Sequence, residues 1–224
     1  MRICVLMAAF NEENRIGAVV RTTKDHVKKV VVVNDGSEDG TGDVARAAGA
    51  VCLRSDVNEG KGSALRKGIA HISQDGYTHV LFMDADGQHL PEDIPNLIRT
   101  AEETGADMVI GKRCFDCKRM PLSRYLSNTI GSRVTSWLVG RTIEDSQCGF
   151  RLVRLDKLRK LRLTAKRYEF EMEVLIKMSA SGGQLAHTPV SMVYDKGKAR
   201  SKMRVVPDTL RICLASLGYR FLRL

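Results

Sequence analysis

Two aspartates separated by a single alanine, Asp84 and Asp86, follow an apolar run at residues 80–83. Like charges this close repel each other unless a positive charge lies beside them. Carboxylates at a strand end can hold Mg²⁺ or Mn²⁺ when a phosphorylated substrate supplies the other oxygens, and Gln88 and His89 add candidate ligands. The alternative is a solvated turn that caps the helix starting at Pro91, because an isolated pair of this kind is a weak signal.

Two further polar segments contain residues suited to a nucleotide. VVVNDGSEDGT ends a valine run with Asp35, whose carboxylate can accept hydrogen bonds from a nucleobase N–H. Ser37 or Asp39 in the same segment could cap the following helix. NEGKGSAL places Lys61 at a helix start, where a phosphate or ribose contact is expected. This segment is not a Walker A loop, because Lys61 is followed by glycine rather than Ser or Thr.

Short apolar runs alternate with helical patterns in the first half of the chain. Strands are predicted at residues 3–7, 30–33, 51–54, 79–83 and 108–110, and helices at 13–23, 41–48, 62–72 and 91–104. This order predicts an α/β fold, with a mostly parallel central sheet and helices on both faces. Ligands of such sheets bind outside the carboxyl ends of the strands. Polar turns follow the first, second and fourth strands, so we expect them to line one cleft.

The pattern changes after residue 111. It predicts helices at residues 122–139 and 169–180 and strands at 184–187 and 190–194, with EDSQCGFR as a turn. The tail, residues 203–224, predicts a basic amphipathic helix with an apolar stripe formed by Leu210, Cys213, Leu214, Leu217, Phe221 and Leu224. Such a stripe suits either a membrane surface or a docking site on the protein core.

The net charge of +10 is concentrated in two segments. Residues 111–141 contain seven Lys/Arg and one Asp, and residues 196–224 contain eight Lys/Arg and one Asp. Such patches favour nucleic acids, anionic membranes or phosphorylated ligands. The six cysteines are scattered, which is typical of reduced thiols in a cytoplasmic protein. No apolar run approaches the length of a transmembrane helix.

Seven motifs in order resemble one enzyme family. They are AAFNEE, VVVNDGSEDGT, NEGKGSAL, MDADGQH, GKR, DSQCGFR and RYEFEMEVL. Together they resemble the inverting family-two glycosyltransferases of the GT-A fold, and in particular the synthases that make dolichyl- or polyprenyl-phosphate mannose and glucose. The resemblance implies a catalytic domain over residues 1–202, with the amphipathic helix of residues 203–224 appended.

The resemblance implies a donor site with a divalent cation, Mg²⁺ or Mn²⁺. The residues implied for the nucleotide base, ribose and phosphates are Ala8, Phe10, Asn11, Glu12, Asp35 and Lys61. Ala8 or Ala9 stands where the family usually has proline. The residues implied for the metal are Asp84, Asp86 and Gln88, with both aspartates also serving the sugar diphosphate.

The resemblance also implies an acceptor site for a polyprenyl phosphate. Arg113 and Arg124 match residues that hold the acceptor phosphate, and Asp145 matches a donor-sugar contact. Lys202 ends a segment similar to the family pattern R-x-x-G-x-S-K. This segment departs from the pattern, because Lys196 and Ala199 replace its arginine and glycine.

A phosphate acceptor changes the chemistry that the site must provide. A phosphate monoester is already anionic at neutral pH, so it needs cations rather than a general base. We expect Arg113, Arg124 and, less directly, Arg133 to offset its charge during in-line attack on the anomeric carbon, with Lys61 or Lys202 stabilising the leaving diphosphate. A solvated helix face is the alternative for Arg133 and for Arg141.

Three other functions remain open from the sequence. A hydroxyl acceptor would need a base, for which Asp145 or Glu144 are candidates. A nucleotidyltransferase would attack the α-phosphorus instead. A basic nucleic-acid-binding module is a third alternative, although no recognition motif is present and no nucleic acid is expected. The favoured interpretation predicts a nucleotide-sugar donor and a peripheral location on the cytoplasmic face of a membrane, and leaves open a separate membrane-anchoring protein.

Overall fold

The computed structural model describes residues 1–113, 122–193 and 205–221, without the side chains of 122–127, 205–210, 213 and 221. Seven strands in these residues form one sheet in the order β3-β2-β1-β4-β6-β5-β7. Their bounds are β1 Ile3–Ala9, β2 Lys29–Asp35, β3 Val51–Ser55, β4 His79–Phe82, β5 Met108–Arg113, β6 Arg151–Arg154 and β7 Leu185–Val190. All pairings are parallel except those that β6 makes with β4 and β5. The predicted α/β fold and mostly parallel sheet are confirmed.

The helices follow the predicted alternation. Their bounds are α1 Glu13–Lys24, α2 Thr41–Ala47, α3 Lys61–Ile72, α4 Ile94–Thr104, α5 Leu122–Val139, α6 Leu155–Leu158, α7 Phe170–Ala180 and α8 Val205–Phe221. The central residues of β1, β2 and β4 are buried at successive positions. Because successive side chains point to opposite faces, both faces of the sheet are covered, as predicted. Within the described part of the chain, no helix is both long and apolar enough to cross a membrane.

The order of the strands places the polar turns together. The chain runs from β1 outward to β2 and β3, then returns to the other side of β1 as β4. This reversal is the type of position at which α/β sheets bind ligands, outside the carboxyl ends of their strands. Because β2, β1 and β4 are parallel neighbours, the turns after them meet at one edge, as expected.

Three local predictions differ from the structure. The segment EDSQCGFR, predicted as a turn, leads into β6, an antiparallel strand that was not predicted from the sequence. The helix predicted at 91–104 starts with a 3₁₀ turn, Pro91–Asp93, before α4. A single strand, β7, stands where strands were predicted at 184–187 and 190–194; it ends at Val190, Met192 makes an isolated bridge to His89, and residue 194 lies outside the described residues. The edge position of β7 accommodates Pro189, which has no N–H to donate.

Candidate active site at the carboxyl edge of the sheet

Asp84 lies at the centre of a polar cluster just beyond the end of β4. Its Oδ1 lies 2.5 Å from the Lys61 Nζ, and the same Nζ lies 2.5 Å from the Glu171 Oε1. On the other side, the Nε2 of buried His89 lies 3.4 Å from the Asp84 Oδ2. The first turns of α3 and α7 therefore meet the end of β4 through a single lysine ammonium.

The two aspartates experience opposite electrostatic environments. Burial would raise the pKa of Asp84, but the charge of Lys61 and the contact with His89 outweigh it and hold that pKa below its usual range. Burial and the charge of Asp84 raise the pKa of Asp86. The backbone N–H of Gln88 donates to the Asp86 Oδ1 at 3.0 Å, which forms the turn considered as the alternative. Turn formation and ligand binding are therefore compatible at this position.

This pair of carboxylates fits a divalent cation. Burial and, after it, repulsion by Asp84 raise the pKa of Asp86, and a nearby cation would relieve the repulsion. No cluster of three or more His, Cys, Asp or Glu side chains suited to a metal occurs in the residues that the structure describes. Mg²⁺ commonly takes few ligands from a protein and the remainder from substrate phosphate, and two carboxylates are compatible with that pattern.

Gly149 leaves the space that the Asp84 carboxylate occupies. A Cβ added at this glycine would lie 2.8 Å from the Asp84 Oδ2 and 3.1 Å from the Oδ1. Both residues line a small cleft, together with Lys61, Phe82, Arg151 and Glu171. The glycine of DSQCGFR is therefore required by the position of the first aspartate, a role that its sequence position did not reveal.

We expect Gly149→Ala to displace the Asp84 carboxylate and lower kcat/KM by about 10²-fold, the size of effect that small misplacements in active sites produce. The Tm should change little, because the clash involves the end of a half-buried side chain. Steady-state kinetics and thermal melting test this expectation. Ala85→Gly, a change of similar size beside the same carboxylate, is the control. Unchanged kinetics for Gly149→Ala would contradict the proposed position of Asp84.

The turns after β1 and β2 are joined by hydrogen bonds. Asn11 has a φ of 52°, and its backbone N–H donates to the Ser37 Oγ at 2.9 Å. Its side-chain Oδ1 accepts the backbone N–H of Glu38 at 3.0 Å. The Glu12 N–H donates to the Thr41 Oγ1 at 2.8 Å. The structure therefore brings Phe10, Asn11 and Glu12 to the cleft edge beside the second turn, while Ala8 lies within β1. Their roles in nucleotide binding stay predictions.

Asp35 supports the loop before α3. Its two carboxylate oxygens accept the backbone N–H groups of Glu59 at 3.0 Å and Gly60 at 2.8 Å. Gly60 has a φ of 99°, which favours glycine, and it directly precedes Lys61. Asp35 therefore helps position Lys61. A carboxylate oxygen has a second lone pair, so the predicted base contact is compatible with this role and stays a prediction.

Arg113 and Asp145, which were assigned to different substrates, form one ion pair. The Arg113 Nε and Nη2 donate to the two oxygens of Asp145 at 2.6 and 2.8 Å. The backbone N–H groups of Arg113 and Gln147 also donate to this carboxylate at 3.2 Å. Asp145 is fully buried, and Arg113 is mostly buried. The pair joins the end of β5 to the loop that carries Gly149.

The remaining predicted cations are placed less completely. Arg124 lies in α5, but its side chain is outside the described residues, as is Lys202 with the rest of its segment. Arg133 is exposed, in agreement with the solvated alternative. Arg141 is also exposed, and its Nη1 donates to the Gly183 carbonyl at 3.1 Å.

Two charged residues at the cleft were not predicted. The buried guanidinium of Arg151 donates to the carbonyls of Cys148, Ser146 and Glu171 at 2.5–2.6 Å. Glu171 has one buried oxygen, Oε2, without a hydrogen-bond partner among the described residues. Glu173, two residues further along α7, has its carboxylate bound by Thr164, Ala165 and Lys177. The signal in the sequence was the spacing of these two glutamates on α7. Two residues apart, they lie about 200° from each other around the helix, so they point to different sides.

The family model Glycosyl transferase family 2 matches residues 4–162, which include every strand end described above except that of β7. The chain belongs to glycosyl transferase family 2. Membership confirms the resemblance noted in the sequence and makes the protein a glycosyltransferase.

Two curated relatives align with most of this glycosyltransferase. An undecaprenyl-phosphate mannosyltransferase of Micrococcus luteus is 31% identical and is matched over 91% of this chain and 88% of the relative. A UDP-N-acetylglucosamine–dolichyl-phosphate N-acetylglucosaminyltransferase of Methanococcus voltae is 28% identical over 86% of each.

A solved structure has the same fold. The glucosyl-3-phosphoglycerate synthase of Mycobacterium tuberculosis, in complex with Mn²⁺ and UDP-glucose, superimposes with a TM-score of 0.75 at 20% identity. The match covers 97% of this chain and 78% of that one. This similarity confirms the predicted GT-A type of α/β fold for the family 2 enzyme.

Proposed function

We propose that this glycosyltransferase moves a sugar from a nucleoside-diphosphate sugar to a polyprenyl phosphate, with inversion at the anomeric carbon and with a divalent cation held by Asp84 and Asp86. The observation that carries the proposal is the similarity, over 91% and 86% of this chain, to enzymes named for undecaprenyl- and dolichyl-phosphate acceptors. The cluster of Lys61, Asp84 and Asp86 supports a diphosphate-bearing donor.

The chain's own residues would serve the donor as follows. Asp84 and Asp86 would hold Mg²⁺ or Mn²⁺, with Gln88 as a further ligand, and the cation would supply charge that offsets the leaving diphosphate. Lys61 already lies against Asp84, so its ammonium would stabilise the same leaving group. The turn at Phe10, Asn11 and Glu12 and the carboxylate of Asp35 would bind the nucleoside.

The ion pairs of the two candidate bases support an acceptor that is already anionic. In the proposed reaction a phosphate oxygen attacks the anomeric carbon, the bond from that carbon to the diphosphate breaks, and a nucleoside diphosphate leaves. No base is needed. A hydroxyl acceptor would need one, yet Asp145 is buried in a bidentate pair with Arg113, and Glu144 is paired with Lys112 at the surface. This geometry favours an acceptor that is already anionic. Arg124 and Lys202 are proposed to offset its charge, together with the part of the Arg113 charge that the pair with Asp145 leaves uncompensated.

A nucleoside-diphosphate panel tests the donor half of the proposal. UDP or GDP with Mn²⁺ is expected to raise the Tm by several degrees, because binding to the folded state alone stabilises it. One base should stabilise more than the others, and omission of Mn²⁺ should remove most of the effect. Absence of stabilisation by every nucleoside diphosphate at saturating concentration would contradict the proposed donor site.

Incubation of the donor with polyprenyl phosphate tests the acceptor half. The expected product is a polyprenyl-phosphate sugar, detected by mass spectrometry, with release of nucleoside diphosphate. The matched control is the free polyprenol, which has the same chain with a hydroxyl in place of the phosphate and should not react. Transfer to the free alcohol at a comparable rate would favour the alternative with a general base.

A further inference from the structure

The C-terminal helix docks on the protein with a face that does not include Leu214 and Leu217 of its predicted apolar stripe. Ile212 and Ser216 are buried where α8 packs against α5 and α7, and the Arg220 Nε donates to the Leu138 carbonyl at 2.9 Å. Leu214 and Leu217, which belong to the predicted stripe, are 62% and 40% exposed. Attachment of α8 to the domain therefore leaves these two leucines directed at solvent.

Arginines lie on both sides of these leucines. Residues 211, 214, 217 and 220 follow one another at steps of three, so each is rotated by about 60° from the previous one around the helix. Arg211 and Arg220 are both exposed. The outward face of α8, defined by these four residues, thus has an apolar centre with a positive charge at each margin.

The neighbouring helix α5 exposes side chains of the same character. Ile130 and Trp137 are 55% and 71% exposed, and Arg133 between them is exposed as well. These three positions recur at the spacing of one helix face. Helix α5 contains no acidic residue, and Trp137 is the single tryptophan of the chain. Large apolar residues in a basic setting therefore occur on two helices that pack together.

We propose that the outward face of α8, with Ile130 and Trp137 of α5, docks on the surface of an anionic lipid bilayer. Leucine and tryptophan side chains suit the headgroup boundary, and arginines at the margins suit anionic headgroups. A second copy of the chain is a poor occupant, because it would bring two basic faces of a +10 protein together. This inference rests on the proposed function, because docking would be useful to an enzyme whose acceptor is a membrane lipid.

Sedimentation with vesicles tests the surface without any substrate. The full chain is expected to bind vesicles of phosphatidylcholine with phosphatidylglycerol at least ten-fold more strongly than vesicles of phosphatidylcholine alone, and high salt should weaken binding. The fluorescence of Trp137 should shift to the blue on the anionic vesicles. No binding to anionic vesicles, or binding without a change in this fluorescence, would overturn the proposal.

The double variant Leu214→Gln, Leu217→Gln tests the residues. It should lower vesicle binding at least ten-fold with an unchanged Tm, because both side chains are exposed. Val57→Gln is the matched control, since Val57 is an exposed apolar residue on the loop after β3, and it should bind as the wild type does. Equal binding by the double variant, or a dimer in solution that this variant dissociates, would overturn the proposal.

The activity of the double variant separates this inference from the proposed function. On a short-chain, water-soluble prenyl phosphate its rate should equal that of the wild type, while on long-chain acceptor in anionic vesicles it should fall at least ten-fold. Equal loss with both acceptors would overturn the docking surface. A wild type that binds vesicles but transfers no sugar to either acceptor would instead contradict the proposed function alone.

Discussion

The variant Asp86→Ala is expected to lose sugar transfer almost completely, with kcat reduced by about 10³-fold or more, while the fold remains intact. The physical reason is that the proposed cation loses one of its two carboxylates, and electrostatic stabilisation of a leaving group contributes strongly to the rates of enzymatic reactions. Near-normal rates of the purified variant in saturating Mg²⁺ or Mn²⁺ would contradict the metal assignment.

Although replacing Asp86 should abolish activity, replacing it with asparagine should make the metal-free protein more stable. Because burial and Asp84 raise the pKa of Asp86 in the folded state, its ionised form disfavours folding above the pKa of the unfolded chain. Asp86→Asn should therefore raise the Tm of the metal-free protein at neutral pH. The gain should shrink as the pH falls and the wild-type carboxyl becomes protonated, because the protonated carboxyl no longer carries the charge that disfavours folding.

Added Mn²⁺ should make the wild type more stable than Asp86→Asn. It should raise the Tm of the wild type and leave that of Asp86→Asn nearly unchanged, as thermal melting can show. Asp43→Asn is the matched control, because Asp43 is a highly exposed aspartate paired with neighbouring Arg46, and it should affect neither activity nor the response to Mn²⁺. A lower Tm for metal-free Asp86→Asn would contradict the electrostatic account.

The second large effect is expected at the Arg113–Asp145 pair. Removing the guanidinium leaves a fully buried carboxylate without its counter-charge, and loss of one partner from such a pair costs roughly 3–5 kcal/mol. Arg113→Ala should therefore lower the free energy of unfolding by about 3 kcal/mol or more, measured by chemical denaturation. Arg113→Ala, Asp145→Ala should be less destabilised than the sum of the two single variants.

Lys112 and Glu144 provide the control for this cycle. They precede Arg113 and Asp145 by one residue and also form an ion pair, but both side chains are exposed. The same double-mutant cycle on this surface pair should give a coupling energy below about 1 kcal/mol. Equal coupling energies for the two pairs would show that burial does not set the strength of the Arg113–Asp145 interaction.

The parallel half of the fold and its edge of polar turns could be predicted from the amino-acid sequence. Apolar strands such as β2 and amphipathic helices such as α1 are visible because side-chain periodicity is a local property. The rule that parallel strands end at a common edge then brings Asp35 and Asp84 together without knowledge of any contact. The same local patterns predicted α8 as an amphipathic helix.

The ion-pair partners of the charged residues, in contrast, depend on the tertiary structure. The ion pair of Asp84 with Lys61 spans 23 positions, the contact of Lys61 with Glu171 spans 110, and that of Arg113 with Asp145 spans 32. Antiparallel β6 was missed because its four residues begin with Arg151, an arginine that is buried only because three backbone carbonyls of the folded chain accept its hydrogen bonds. Likewise, α8 directs Leu214 and Leu217 outward because Ile212 and Ser216 pack where the helix meets α5 and α7. Periodicity defines the faces of an element, but complementary packing between distant segments selects which face is buried.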